Sequence, residues 1–293
     1  MPRPGRTPLI ALSTSSTYPE GTARAFAIAR ELGYDAVEVM VGMDRTSAKV
    51  DELLRLRDYY EMPISSVHAP TLLLTQRTWG TDPWDKLNRS GDAAGRLGAS
   101  VVVVHPPFRW QRSYAAAFTA GIRRLEHSTG VTFAIENMYP WRGPGGADLR
   151  AYSPSPDPSE LDVDHLTLDL SHAATARQQS LDMVREWGDR LAHVHLTDGT
   201  DRAVDEHLLP GDGNQRADEV LGLLAANRYQ GQIVLEVQTK GAENPAERVS
   251  MLARALDFTR AHFVGPEEPA EQTLRLAAFR QHLDVDEGTD AAS

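Results

Sequence analysis

Six apolar runs in this chain each carry a histidine or a carboxylate at their C-terminal end. These residues are His68 in PISSVHAP, His105 in SVVVVHPP, Glu136 in VTFAIEN, Asp169 and His172 in HLTLDLSH, His195 in LAHVHLTD and Glu236 in QIVLEV. The loop after His195 adds Asp205 and His207. Imidazoles and carboxylates are the ligands of first-row divalent metals. A single histidine in an apolar run is most often packed or hydrogen-bonded. Repetition at six run ends instead implies that the side chains converge. The chain has no cysteine, so disulfides, thiolate metal sites and cysteine nucleophiles are excluded.

The elements that would position these groups follow from the same runs. Each reads as a short buried strand, because apolar and β-branched residues fill it and turn-forming residues follow. LIALS (9–13) and AVEVMV (36–41) bring the strand candidates to eight. Helix-forming segments alternate with them at 20–33, 47–61, 82–98, 111–130, 180–190, 217–229 and 244–263. Gly33, Gly98 and Gly130 fit the left-handed position just past a helix end. Asp82–Pro83 and Asn244–Pro245 each read as an N-cap with proline at the first helical position. Strand–helix alternation points to a parallel sheet with helical crossovers, and eight units favour closure into a (β/α)8 TIM barrel. A polar group just past each strand then lies at the C-terminal mouth, where such barrels build their active sites. TSSTYP follows the first strand in place of a glycine-rich fingerprint, which disfavours a dinucleotide-binding fold.

One unit departs from the pattern. Residues 138–164 are rich in proline and glycine and show no amphipathic helix, so either a substrate-covering loop or a mobile surface loop is expected there. Trp141, Arg142 and Tyr152 are its candidates for a pocket wall. Arg109, Arg112 and Lys240 fall, like Arg142, in loops after strands, where a phosphate or carboxylate could be held. Trp79, Trp84 and Trp110 lie near strand-end loops, where an aromatic face suits a sugar ring, although helix-to-barrel packing explains Trp84 equally well. Gly211 and Gly213 are expected to shape a tight turn behind the site, and Asp198 to orient a metal-binding histidine.

The barrel is expected over residues 1–264, followed by an acidic extension at 265–293. In that extension 267–283 has helical spacing, with Leu274, Leu276, Phe279 and Leu283 apolar, and the last ten residues read as disordered. Its helix would pack on the barrel or on a partner subunit of a homo-oligomer. The chain's 293 residues, 41% of them hydrophobic, suffice for a full core. A net charge of -11 argues against broad attraction to nucleic acid or anionic lipid. No apolar run approaches the roughly 20 residues that span a membrane, and the N-terminus lacks a secretory pattern. A cytoplasmic protein is the expectation.

The motifs HAP (68–70), HPP (105–107), IEN (135–137), LDLSH (168–172), HVHLTD (193–198), DEHLLPGDG (205–213) and LEV (235–237) together resemble the xylose-isomerase-like TIM barrel superfamily. That group includes sugar and sugar-phosphate isomerases and epimerases and the endonuclease IV nucleases. The resemblance to epimerase-like members implies one divalent ion on Glu136, Asp169, His195 and Glu236. It also implies that Glu136 and Glu236 pass a proton across the reacting carbon through an enediolate. His172 would then touch a substrate oxygen or a second ion. Arg109, Trp110, Trp141, Arg142 and Lys240 are the further substrate-binding candidates. Similarity to the endonuclease IV pattern implies three zinc ions on nine residues: His68, His105, Glu136, Asp169, His172, His195, Asp205, His207 and Glu236. The expected cofactor is therefore one to three ions of Mn, Zn, Co or Mg. The expected activity is isomerisation or epimerisation of a sugar, polyol ketone or sugar phosphate. The alternative is a trinuclear phosphodiesterase acting on abasic DNA. PPFRWQRSY after His105, NMYPWRGPGG after Glu136 and the histidine-free start LSTSSTYPEG place the carbohydrate-like substrate ahead of DNA.

Overall fold

Eight buried parallel strands close on themselves in a computed structural model of the chain. It describes residues 8–42, 44–70, 75, 77–142, 148–154 and 156–264, without the side chains of Arg142 and Asp148. The expected helix at 267–283 and the acidic tail lie outside the described residues.

The barrel strands are β1 (Leu9–Ser13), β2 (Ala36–Met40), β3 (Ile64–His68), β4 (Val101–Val104), β5 (Thr132–Glu136), β8 (Leu166–Asp169), β9 (Leu191–His195) and β10 (Gln232–Leu235). Their order around the barrel is β1-β10-β9-β8-β5-β4-β3-β2, so the first strand pairs with the last. The remaining pair, β6 (Trp141–Arg142) and β7 (Asp148–Leu149), forms an antiparallel ribbon inside the 138–164 excursion. The helices between strands are α1 (Thr22–Leu32), α2 (Val50–Tyr60), α3 (Pro83–Leu97), α4 (Arg112–Thr129), α6 (Ser180–Trp187), α7 (Ala217–Ala226) and α8 (Pro245–His262). A short α5 (Leu170–Thr175), absent from the helix candidates, follows β8 directly.

Local chemistry sets the ends of these elements. Gly33, Gly98 and Gly130 terminate α1, α3 and α4 with φ of 79°, 79° and 69°. Asp82 and Asn244 cap α3 and α8 by accepting from the backbone N–H of Asp85 and Glu247, each with proline at the first turn.

Strand alternation divides the core in two. Outward residues such as Ile10, Leu12, Val39, Val67, Phe133 and Leu168 join the helices in the main apolar layer. The interior is lined by small residues, with Ala11, Ala36 and Val234 in one group and Val101, Val103 and Ala134 in another. Above them the same inward face carries polar groups: Ser13, Glu38, Ser66, His68, Glu136, Asp169, His193 and His195, all at most 2% exposed. A buried polar layer of this size costs stability unless its members partner one another or a ligand.

The opposite end of the barrel is pinned by a separate pair. His165 Nδ1 lies 2.7 Å from Glu126 Oε1 on α4, and that oxygen also accepts from the Phe133 N–H. The hydrogen bond to Glu126 raises the His165 pKa against the opposing effect of burial. A raised folded-state pKa stabilises most below the unfolded value, and the gain fades as pH rises through the folded value. His165→Gln should therefore lower stability more near pH 5.5 than near pH 9, by roughly 0.2–1 kcal/mol for a partly exposed pair. Urea unfolding at both pH values checks this, and an equal loss at both would refute it.

Candidate metal centre

The mouth is built one strand end at a time. Asp169 closes β8 and is also the N-cap of α5, its Oδ1 accepting from the His172 N–H at 2.9 Å. That cap occupies one carboxylate oxygen and leaves Oδ2 aimed inward. Asn137, just past β5, locks this corner from the side. Its Oδ1 accepts from the Asp169 N–H at 2.6 Å and its Nδ2 donates to the Asp169 carbonyl at 2.9 Å. His172, one turn into α5, is held by Nδ1 at 2.9 Å from the Asn137 carbonyl.

Glu136 stands at the centre. Its Oε2 lies 2.8 Å from His105 Nε2 and 3.3 Å from His68 Nε2, and its Oε1 lies 2.9 Å from His195 Nδ1. His195 Nδ1 also sits 3.1 Å from Glu236 Oε2 and 3.6 Å from Asp169 Oδ2. One donor atom each from Glu136, Asp169, His195 and Glu236 falls within 4.8 Å of the others. Two further groups meet the same limit and share members with this quartet: His68, His105 and Glu136, and Asp169, His172 and His207. Asp205 bridges the last group, its Oδ2 lying 2.9 Å from His207 Nε2 and 3.3 Å from His172 Nε2. All nine residues singled out in the sequence thus lie around one mouth.

A cation fits this arrangement. Among the described residues, Asp169 Oδ2 is buried with no hydrogen-bond partner, and so is His105 Nδ1. An unmet buried polar atom costs about 1–3 kcal/mol, more if charged, and a bound ion would remove that cost at Asp169. Without an ion the cluster balances its carboxylates with protons. Burial alone would lower His195, but Glu236, Glu38 and Glu136 hold its pKa well above the ordinary imidazole value. Burial likewise opposes His172, yet Asp169 and Asp205 push it up to about 10. Burial alone would raise Glu136, and His105 and His195 bring it well below the usual carboxylate range. In Glu236 burial prevails and raises the pKa.

Sequence reasoning missed two members of this layer. Glu38 on β2 and His193 on β9 are fully buried and form a fourth ligand-type group with His195. A signal for both existed. Glu38 is the one charged residue in AVEVM, and His193 lies two residues before His195, hence on the same strand face.

The proposed pocket wall is an aromatic cluster. Phe108 stacks on Trp110 at 4.5 Å and on Tyr152 at 4.8 Å, and Trp141 meets Phe108 edge-on at 5.9 Å. A bridge between Phe108 and Tyr152 fastens the 138–164 excursion to the loop after β4. Tyr152 approaches His105 at 6.3 Å, and Tyr139 packs over His172 at 4.9 Å, so this wall adjoins the ligand groups. Trp110 is 56% exposed. Arg109, Arg112 and Lys240 are exposed, with Lys240 Nζ 5.2 Å above the Tyr18 ring.

Trp84, Trp79 and Asp198 have structural partners. Trp84 lies edge-on to Tyr114 in the α3–α4 packing against Gly121, where helix contact rather than substrate explains it. Trp79 spends its N–H on the Ala48 carbonyl. Asp198 orients no histidine, because its carboxylate accepts from the backbone N–H groups of Gly199, Gly211 and Gln215. It therefore shapes the turn containing Gly211, whose φ is 90°.

A closed parallel barrel with a buried ring of imidazoles and carboxylates at its C-terminal mouth defines a class of barrels able to hold divalent ions there. Residues 26–262 match the family model described as the xylose isomerase-like TIM barrel, and the chain belongs to that family. An uncharacterised protein of Mycobacterium tuberculosis is 46% identical over 274 residues, covering 87% of this chain and 98% of that one. Fructoselysine 3-epimerase of Escherichia coli is 22% identical over 246 residues, covering 75% of this chain and 87% of its own. Among solved structures, D-psicose 3-epimerase of Clostridium cellulolyticum with D-tagatose superposes with a TM-score of 0.65 at 15% identity. That match covers 87% of this chain and 99% of the other, and shows the shared fold.

Proposed function

We propose that this chain is a divalent-metal-dependent isomerase or epimerase of a small carbohydrate-like substrate: a sugar, polyol ketone or sugar phosphate. The observation that carries the reading is the quartet of Glu136, Asp169, His195 and Glu236, with two glutamates converging on one histidine nitrogen. The names of the similar proteins, fructoselysine 3-epimerase and D-psicose 3-epimerase, support a sugar as substrate class. An ion of Mn, Zn, Co or Mg on the quartet would supply Lewis-acid polarisation of a substrate carbonyl.

The chain's own groups supply the rest. Glu136 and Glu236 project from β5 and from just past β10, so a substrate between them meets a carboxylate on each side. One removes the proton from the carbon beside the carbonyl, and the other returns a proton to that carbon. Ser15 Oγ donates to Glu236 Oε1 at 3.2 Å and holds that carboxylate in place. His172 contacts a substrate oxygen. Phe108, Trp110, Trp141 and Tyr152 cover the apolar face of the sugar and exclude water, and Arg109 and Lys240 are available to an anionic group. No described helix is long and apolar enough to cross a membrane, and a cytoplasmic location belongs to this reading.

A second reading rests on a specific observation. The quartet shares Glu136 with one further ligand group and Asp169 with another, and a one-ion isomerase does not need His68, His105 or His207. A trinuclear centre of this kind could hydrolyse a phosphodiester, as in abasic DNA. Metal content per chain, after purification without chelator, separates the two readings. About one tightly held ion is expected, lost on Glu236→Ala, with turnover in a panel of ketoses. About three zinc ions and nicking of an abasic duplex, falling steeply with salt, would replace the isomerase by the nuclease. No ion after reconstitution would sink both.

A further inference from the structure

Below the mouth, Glu38 lies on the inward face of β2 beneath His195. Its Oε1 is 3.0 Å from His195 Nε2, the ring nitrogen opposite the one that faces Glu136, Asp169 and Glu236. Its Oε2 accepts from Ser66 Oγ at 2.8 Å and lies 3.0 Å from His193 Nε2. Glu38, Ser66, His193 and His195 are all fully buried. No substrate reaches this position, so Glu38 can act only through its neighbours.

A carboxylate offers acceptors alone. Its contact with Nε2 places a His195 proton on that nitrogen, so an ion that takes the place of the Nδ1 proton meets a lone pair there. Nδ1 points into the quartet, where Glu136 and Glu236 face it. Ser66 fixes the carboxylate from the adjacent strand, where Glu38 and Ser66 are register partners. We infer that Glu38 is a positioning residue that sets the tautomer and ring orientation of His195 and so makes Nδ1 the ion-binding atom. This rests on the metal-dependent reading above. It differs from that reading in assigning a role to a residue that touches neither ion nor substrate. Carboxylates placed behind a ligating histidine raise its basicity, and their loss usually costs about 10–100-fold in metal affinity.

Zinc binding to the full chain, measured by competition with a chromophoric chelator, tests the inference alongside Glu38→Leu and Glu38→Gln. Glu38→Leu should bind about 10–100-fold more weakly than wild type. Glu38→Gln keeps one acceptor oxygen and should fall between the two. Circular dichroism of the ion-free proteins checks that each is folded. If Glu38→Leu does not fold, Glu38→Gln and a second measurement carry the test. In 15N-histidine spectra of the zinc-loaded wild type, His195 should appear with its proton on Nε2. Unchanged affinity in the folded variants, or a His195 proton on Nδ1, overturns the inference while the metal reading stands. A wild type that binds no zinc overturns the metal reading, and this inference with it.

Discussion

Glu236→Gln is expected to slow exchange of the substrate's carbon-bound proton with solvent by about 100- to 10,000-fold, the usual worth of a positioned acid or base. Deuterium incorporation from heavy water into a ketose, followed by NMR, measures it directly. The amide keeps the side chain's volume and one oxygen, so the Ser15 contact survives while the proton carrier is lost. Glu136→Gln should fall at least as far. Its carboxylate is shared by His68, His105 and His195, and an amide cannot accept from all three at both oxygens. Ion content must be measured on the same samples, because both residues belong to the proposed ligand set. Exchange that continues at the wild-type rate in either ion-loaded variant would remove the two-glutamate mechanism.

The second large effect is thermal. Saturating the stripped chain with a divalent ion at about 1,000 times its dissociation constant should stabilise it by about 4 kcal/mol. At roughly 2–4 °C per kcal/mol, the melting temperature should rise by roughly 10 °C. Asp169→Asn should abolish most of that shift with little change in the ion-free protein. Asparagine is as good an N-cap as aspartate, so α5 keeps its start while the inward Oδ2 is replaced by an amide nitrogen. Because His195, His172 and His207 have pKa values raised by neighbouring carboxylates against the effect of burial, ion binding must displace protons. The thermal shift should therefore shrink as the pH is lowered. A shift that survives in Asp169→Asn would place the ion elsewhere.

Most of the barrel was legible in the sequence because each strand–helix unit repeats one local pattern. PISSVH and QIVLEV announce buried strands by composition alone, and Gly33, Gly98 and Gly130 mark helix ends by a backbone conformation few other residues adopt. Strand-end positions could be read because the chain there changes abruptly from apolar to polar. Glu38 escaped that rule, since it sits in the middle of its strand and partners residues 28 and more than 150 positions away. No spacing within β2 reports that Ser66 and His195 will surround it. Trp84 is open to two readings in the sequence, a substrate face and helix packing. The glycine at 121 opens a slot on α4 that takes the indole, which favours packing. Asp198 follows His195 closely, yet its partners Gly211 and Gln215 arrive from the next turn and consume its carboxylate.

Closure of the barrel between β1 and β10 has a consequence for how the protein comes into being. Leu9 is registered against Gln232 and Leu12 against Leu235, so the seam joins segments separated by more than 200 residues. Glu236 follows β10, the last of the barrel strands to leave the ribosome. Seven strands can emerge with their histidines and carboxylates while the quartet still lacks a member and the interior lies open along one edge. Ion capture in the proposed geometry thus waits until Glu236 has emerged and the seam has closed. A nascent chain halted before residue 230 would present a partial and poorly selective set of ligands to whatever metal the cell supplies.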